Sequence, residues 1–208
     1  MEFIFNFHLK TQKDDLLLEL VQKCSGINQA SRVKYVDDLQ DNILTDREAY
    51  PDYLSFSRNC TEWFTVECNS FKKLHDWGAL LSKELETLFL QTVYSSVNEY
   101  SYLLAYENGE MIREIEATNH SETPVIDKGR PFEFEKESVR MFDLDSLMDF
   151  CTYLGIDTIN GSSAAYFVVM KDTAGRSCPV MYNIQRELVK AMNEIEKRTR
   201  LTALKKDQ

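Results

Sequence analysis

Flexible punctuation is scarce in this chain: only 4 prolines and 7 glycines are spread over 208 residues. That leaves no long flexible linker and no disordered composition. Histidine is scarcer still, with His8, His75 and His120 alone, so a zinc centre or a catalytic triad has few candidates. No apolar run approaches the roughly 18 residues that a membrane-crossing helix needs. The glycine patterns of phosphate-binding loops are missing, with neither G-x-x-x-x-G-K-S/T nor G-x-G-x-x-G. There is no H-E-x-x-H, and Gly161-Ser162-Ser163 lacks the closing glycine of a nucleophile elbow.

Cysteine is present but unpatterned. Cys24, Cys60, Cys68, Cys151 and Cys178 are odd in number and widely scattered, and the eight-residue gap between Cys60 and Cys68 is no zinc spacing. The opening MEFIFNFHLK has no basic n-region and no long apolar core, so no signal peptide is expected. The thiols then read as free in a reducing compartment, and the expected location is the cytoplasm. In that setting the Asn-x-Ser/Thr triplets at Asn59, Asn119 and Asn160 are chance matches.

What the chain does have is a globular balance, 43% hydrophobic and 28% charged, enough for a sizeable core. We expect one domain over residues 1–208, with its core in 52–172 and a C-terminal helix over 183–204. The net charge of -10 repels phosphate backbones and favours basic partners. Nucleic acid and membrane are therefore not expected partners. The basic end of the chain, Lys197 to Lys206, reads first as a complement to a helix C-terminus.

The most informative stretch is Leu88–Ala117. Its last two strand-like runs are joined by Glu107-Asn108-Gly109-Glu110, and Asn-Gly suits the two positive φ angles of a type I′ hairpin turn. Tyr100, Tyr102, Leu104 and Tyr106 alternate with Ser101, Leu103, Ala105 and Glu107, which is the period of a sheet. Further strands are expected at Glu2–Leu9, Val33–Val36, Tyr53–Arg58, Thr61–Cys68, Gly129–Glu137 and Ala164–Lys171, the last buried on both faces. In the first of these, His8 reads as a half-buried structural residue. Helices are expected after a Thr11 cap, ending at Gly26; from Ser70 to Leu85; from the Asp143 cap to Gly155; and from Asn183 onward. The stripes read Leu16, Leu17, Leu20, Val21 and Cys24 for the first, Phe71, Leu74, Gly78, Leu81 and Leu85 (Trp77 at the border) for the second, and Leu144, Leu147, Met148, Cys151 and Leu154 for the third.

Several carboxylate groups invite a catalytic reading. Asp37, Asp38, Asp41 and Asp46 lack the spacing of a calcium loop and read as a solvated loop. Glu133 and Glu135 would share one face of an edge strand, with their charges in water. His75 and Asp76 point apart on a helix and make a poor dyad. His120 and Glu122 lie in a polar loop.

The order of a strand around Trp63, the helix end Leu80-Leu81-Ser82-Lys83-Glu84-Leu85, the strand Leu88–Tyr94 and the Asn108-Gly109 hairpin resembles a loosely defined set of uncharacterised bacterial proteins. Several of these look like immunity proteins against secreted toxins. Gly129–Glu137 and Phe142–Gly155 resemble the segments that come after that hairpin, so the resemblance spans about residues 63–157. Where the set commonly has an Asp before the aromatic run, this chain has Asn98-Glu99. The resemblance brings no catalytic residue and implies no cofactor.

The expected fold is α+β: a mixed, mostly antiparallel sheet of about six to eight strands with a central meander and about four helices packed on it. The expected function is a non-catalytic protein-binding module that occludes a basic, toxin-like partner. Its candidate anchors are Trp63, Tyr94, Tyr100 and Tyr102, ringed by carboxylates. The alternatives are a hydrolytic enzyme using the Glu133–Glu137 or Asp37–Asp46 acids, and a self-associating homodimer. No metal site is expected.

Overall fold

A computed structural model describes residues 3–26, 49–51, 53–58, 62–68, 70–97, 99–118, 123–135, 142–156 and 167–170. The alternating runs become β1 (Phe3–Lys10), β2 (Tyr53–Arg58), β3 (Trp63–Cys68), β4 (Leu88–Ser95), β5 (Tyr100–Glu107), β6 (Glu110–Thr118), β7 (Ile126–Gly129) and β8 (Phe167–Met170). The helical stripes become α1 (Asp14–Ser25), α2 (His75–Leu85) and α3 (Leu144–Tyr153). The class is α+β.

The eight strands form one sheet in the order β7-β6-β5-β4-β1-β3-β2-β8. Every described pairing is antiparallel, which corrects the expectation of a mixed sheet. β4 to β7 form the meander, and the N-terminal strand is inserted between β3 and β4. The β5–β6 turn has Asn108 at φ 50° and Gly109 at φ 89°, the two positive values the Asn-Gly pair predicts. Its Gly109 N–H donates to Ser82 Oγ at 2.9 Å, tying the hairpin to α2.

Register sorts the side chains onto two faces. One face carries Phe5, Phe7, Leu9, Phe56, Phe64, Val66, Phe89, Val93, Tyr102 and Leu104, and packs against Leu17, Leu20 and Val21 of α1 and Trp77 and Leu81 of α2. The other carries Trp63, Leu90, Leu103, Ala105, Ile115 and Ala117 under Leu147, Phe150 and Cys151 of α3. At Gly78 an added Cβ would sit 2.7 Å from Cδ2 of Tyr106 and 3.1 Å from Cδ1 of Phe89, so glycine lets α2 lie close on the sheet.

Helix boundaries correct three expectations. α2 begins at His75, because Ser70 Oγ accepts from Lys72 N–H in a local turn. Buried Gln91 of β4 then holds the approach, accepting from Leu74 N–H at 2.9 Å and donating to the Lys72 carbonyl at 2.8 Å. Thr11 accepts from Lys13 N–H, just ahead of α1, and makes no cap on the helix itself. Trp77 lies inside the core at 2% exposure, not at its border. Gly26 ends α1 at φ 68°, and Asp143 caps α3 by accepting from Ser146 N–H, as expected. Three helices lie among the described residues. The expected strand Val33–Val36 and the helix over 183–204 fall outside them, as do the side chains of β8.

Candidate functional site

The site is built on an irregularity of β6. Tyr106 faces Met111 and Ala105 faces Arg113, so Ile112 is an extra residue, a β-bulge. The bulge sets Arg113 on the α3 face, opposite Gly129 of β7. Gly129 has φ 89°, and a Cβ there would lie 2.1 Å from the Ile112 carbonyl oxygen. Only glycine fits this close approach.

Arg113 is 2% exposed. Its Nε and Nη2 donate to the Glu135 carboxylate at 2.9 and 2.6 Å, and its Nη1 donates to Asp127 and to the Lys128 carbonyl. Burial opposes the guanidinium charge, but these bonds outweigh it and raise the pKa above its ordinary value. Glu135 also accepts from Phe132 N–H at 2.8 Å, while Glu135 N–H donates to the Phe132 carbonyl. The carboxylate thus closes a turn over residues 132–135. This overturns the edge strand expected over Gly129–Glu137: the strand is β7, one segment earlier, and the Phe132–Glu135 stretch is a turn. Glu133 is exposed while the Glu135 side chain is 2% exposed. The two acids do not share a face, and Glu135 is no solvated charge.

The turn displays an aromatic row. Phe132 and Phe134 stack at 5.8 Å, and Phe134 lies 4.0 Å from Tyr153 at the end of α3. Buried Phe150 meets Phe132, Phe134 and Phe142 edge-on at 5.8, 4.8 and 5.8 Å. Edge-on and offset contacts suit the ring quadrupole. The outer end of the row reaches the surface, with Tyr153 51% exposed. Exposed Asp145 and Asp149 stand eight and four residues before Tyr153, hence on one helix face. Glu133 is exposed between the two phenylalanines.

The opposite face of β6 holds a second polar cluster. Glu114, 3% exposed, accepts from Tyr102 Oη at 3.1 Å and lies 3.4 Å from His75 Nε2 and 3.5 Å from Lys128 Nζ. His75 Nδ1 is 3.0 Å from the Tyr106 hydroxyl. A carboxylate only accepts, so in the neutral ring the tautomer that suits this site has its proton on Nε2, and Nδ1 then accepts from Tyr106. Lys73 Nζ pairs with Glu116 at 2.6 Å and sits 5.0 Å above the Tyr102 ring. Burial, and then the neighbouring carboxylates, push the Tyr100, Tyr102 and Tyr106 phenols up. These tyrosines are protonated donors and not phenolate bases or nucleophiles.

The expected anchors divide. Trp63 is 3% exposed and its Nε1 donates to the Leu154 carbonyl at 3.1 Å. Tyr102 is fully buried in the core. Both are corrected to packing positions, because helices cover both faces of their strands. Tyr94 and Tyr100 are half-buried on opposite faces, Tyr94 beside the α3 core and Tyr100 beside the α2 core, so the structure does not bring the four together. His8 is wholly buried, between Thr65 Oγ1 at 2.9 Å and Thr92 Oγ1 at 3.2 Å. Burial pushes its pKa down to about 3, which keeps the ring neutral. Burial also pushes the thiols of Cys68 and Cys151 up to about 12 and that of Cys24 to about 11, which makes them poor nucleophiles. Cys60, Cys178, His120, Glu122, Glu137, Gly161-Ser162-Ser163 and the Asp37–Asp46 loop lie outside the described residues. Among the described residues no His, Cys, Asp or Glu group converges as a metal site, and no helix is long and apolar enough to cross a membrane.

Sequence reasoning missed the row that half-buried Phe132 and Phe134 make with exposed Tyr153. The signal was there for Tyr153, which the α3 stripe leaves on the outer face. No protein-family model, curated protein or solved structure matches the chain.

Proposed function

We propose that the protein is a non-catalytic protein-binding module that occludes a basic partner, such as a toxin domain, in the manner of an immunity-like protein. The observation that carries this reading is the row Phe132–Phe134–Tyr153, open at Tyr153 and flanked by Glu133, Asp145 and Asp149. An aromatic centre with a charged rim is the usual anatomy of a binding hot spot. The acidic rim and the net charge of -10 both favour a basic partner. Of the hydrolytic alternative, the Glu133–Glu135 pair is gone, since one acid faces water and the other is bound to Arg113. Burial holds the thiols of Cys24, Cys68 and Cys151 and the phenols of Tyr100, Tyr102 and Tyr106 in their protonated forms.

The test is affinity capture with tagged protein in lysate of its native source, wild type beside Tyr153→Ala. One basic protein recovered at stoichiometric yield by wild type alone supports the module. Capture unaffected by the substitution removes this surface from the reading. Recovery of the protein itself, with a dimer by light scattering, replaces the module with a homodimer.

A further inference from the structure

We infer that the outer end of the aromatic row is a site for an arginine side chain presented by the partner; the inference rests on the binding reading above. Three independent features favour a cation at the same place. Tyr153 offers ring surface at 51% exposure and is backed by Phe134 at 4.0 Å, and a cation over an aromatic face is attracted by its quadrupole. Asp149 lies one turn earlier on the same face of α3, within reach of a group seated on Tyr153, and Asp145, one turn further back, adds negative charge to that face. Finally, the last turn of α3 carries no basic residue of its own, so no cation of that turn offsets the negative pole of the helix near Tyr153.

Guanidinium fits this arrangement better than ammonium. It is planar and weakly hydrated, so it stacks on a ring while its edge donates to a carboxylate in two parallel bonds. A lysine ammonium would satisfy the charge without the stacking. The described cation nearest in sequence is Arg130, exposed and two residues before Phe132. A second copy of the chain is therefore the occupant that the test must separate.

The probes are tetra-arginine, tetra-lysine and tetra-citrulline peptides, titrated into the full chain by calorimetry and followed by the ring resonances of Tyr153 and Phe134. Tetra-arginine should bind about two- to fivefold tighter than tetra-lysine, the range of an exposed cation–π contact, and should shift the Tyr153 ring. Tetra-citrulline, planar but uncharged, should not bind. Tyr153→Leu should abolish the preference for arginine, and Asp149→Asn should weaken both cationic peptides. Glu19→Gln, on α1 across the sheet, should change neither. Equal binding of arginine and lysine, untouched by Tyr153→Leu, would reduce the site to unspecific charge and overturn the inference. Ring signals that broaden with protein concentration alone would assign the row to a second copy, and also overturn it. A captured basic partner without an arginine preference sinks this inference and spares the module. An arginine preference at Tyr153 with no partner captured does the reverse.

Discussion

Arg113 and Glu114 are neighbours in the chain and both are buried, yet they do different things because β6 sends them to opposite faces. Arg113 meets a carboxylate that is itself buried, bonds it through two nitrogens, and so fixes the turn that carries Phe132 and Phe134. Glu114 meets a neutral phenol, a part-exposed histidine and an exposed lysine at the looser distances of 3.4 and 3.5 Å. One is a clamp with little redundancy, and the other is a shared acceptor whose partners have water as an alternative. The contrast places rigidity on the α3 face, beneath the proposed recognition surface.

The sharpest way to break the contrast is Arg113→Met. It strands the Glu135 carboxylate in the interior, so it should cost about 3–5 kcal/mol in chemical denaturation. Adding Glu135→Gln should recover much of that loss by removing the orphaned charge. If the single substitution costs no more than a surface change, Arg113 is no clamp.

His8, also on the α3 face of the sheet, gives the next largest effect. Its folded pKa, about 3, lies below the ordinary 6.5, so the unfolded chain takes up the proton first as pH falls. Stability should therefore decline below about pH 6.5 and go on declining toward pH 3, by about 2 kcal/mol between pH 7 and pH 5 from this residue. Denaturation of wild type and His8→Gln at the two pH values isolates that contribution. A pH slope that survives the substitution assigns the acid sensitivity elsewhere.

Glu114→Gln tests the looser side. The amide keeps an acceptor for Tyr102, so the cost should be about 1 kcal/mol, well under that of Arg113→Met. Equal costs would erase the distinction between the two faces. The smallest stability effect belongs to Tyr153→Ala, under about 0.5 kcal/mol in melting experiments because the ring is half in water. Its effect should appear in binding.

Much of this fold was legible. Alternation in β5 and the Asn108-Gly109 turn are local signals, and the α1 and α3 ends at Gly26 and Asp143 come from backbone and capping chemistry. What was not legible depends on contacts far apart in sequence. Phe132-Glu133-Phe134-Glu135 has the period of a strand, but Glu135 is turned inward by an arginine 22 residues earlier. Nothing within the tetrapeptide reveals that pair. Trp63 and Tyr102 looked like anchors because alternation says which residues share a face and not whether a helix covers it. His8 looked half-buried for the same reason, since Thr65 and Thr92 come from two other strands.

The central claim is that recognition resides in the Tyr153 end of the aromatic row, while the Arg113 clamp supplies the rigidity beneath it. Its most direct test is affinity capture of the basic partner by wild type and Tyr153→Ala side by side, with melting curves of both. The account predicts stoichiometric capture by wild type, loss of capture in the variant, and melting temperatures that coincide. Equal capture by the two proteins would contradict it.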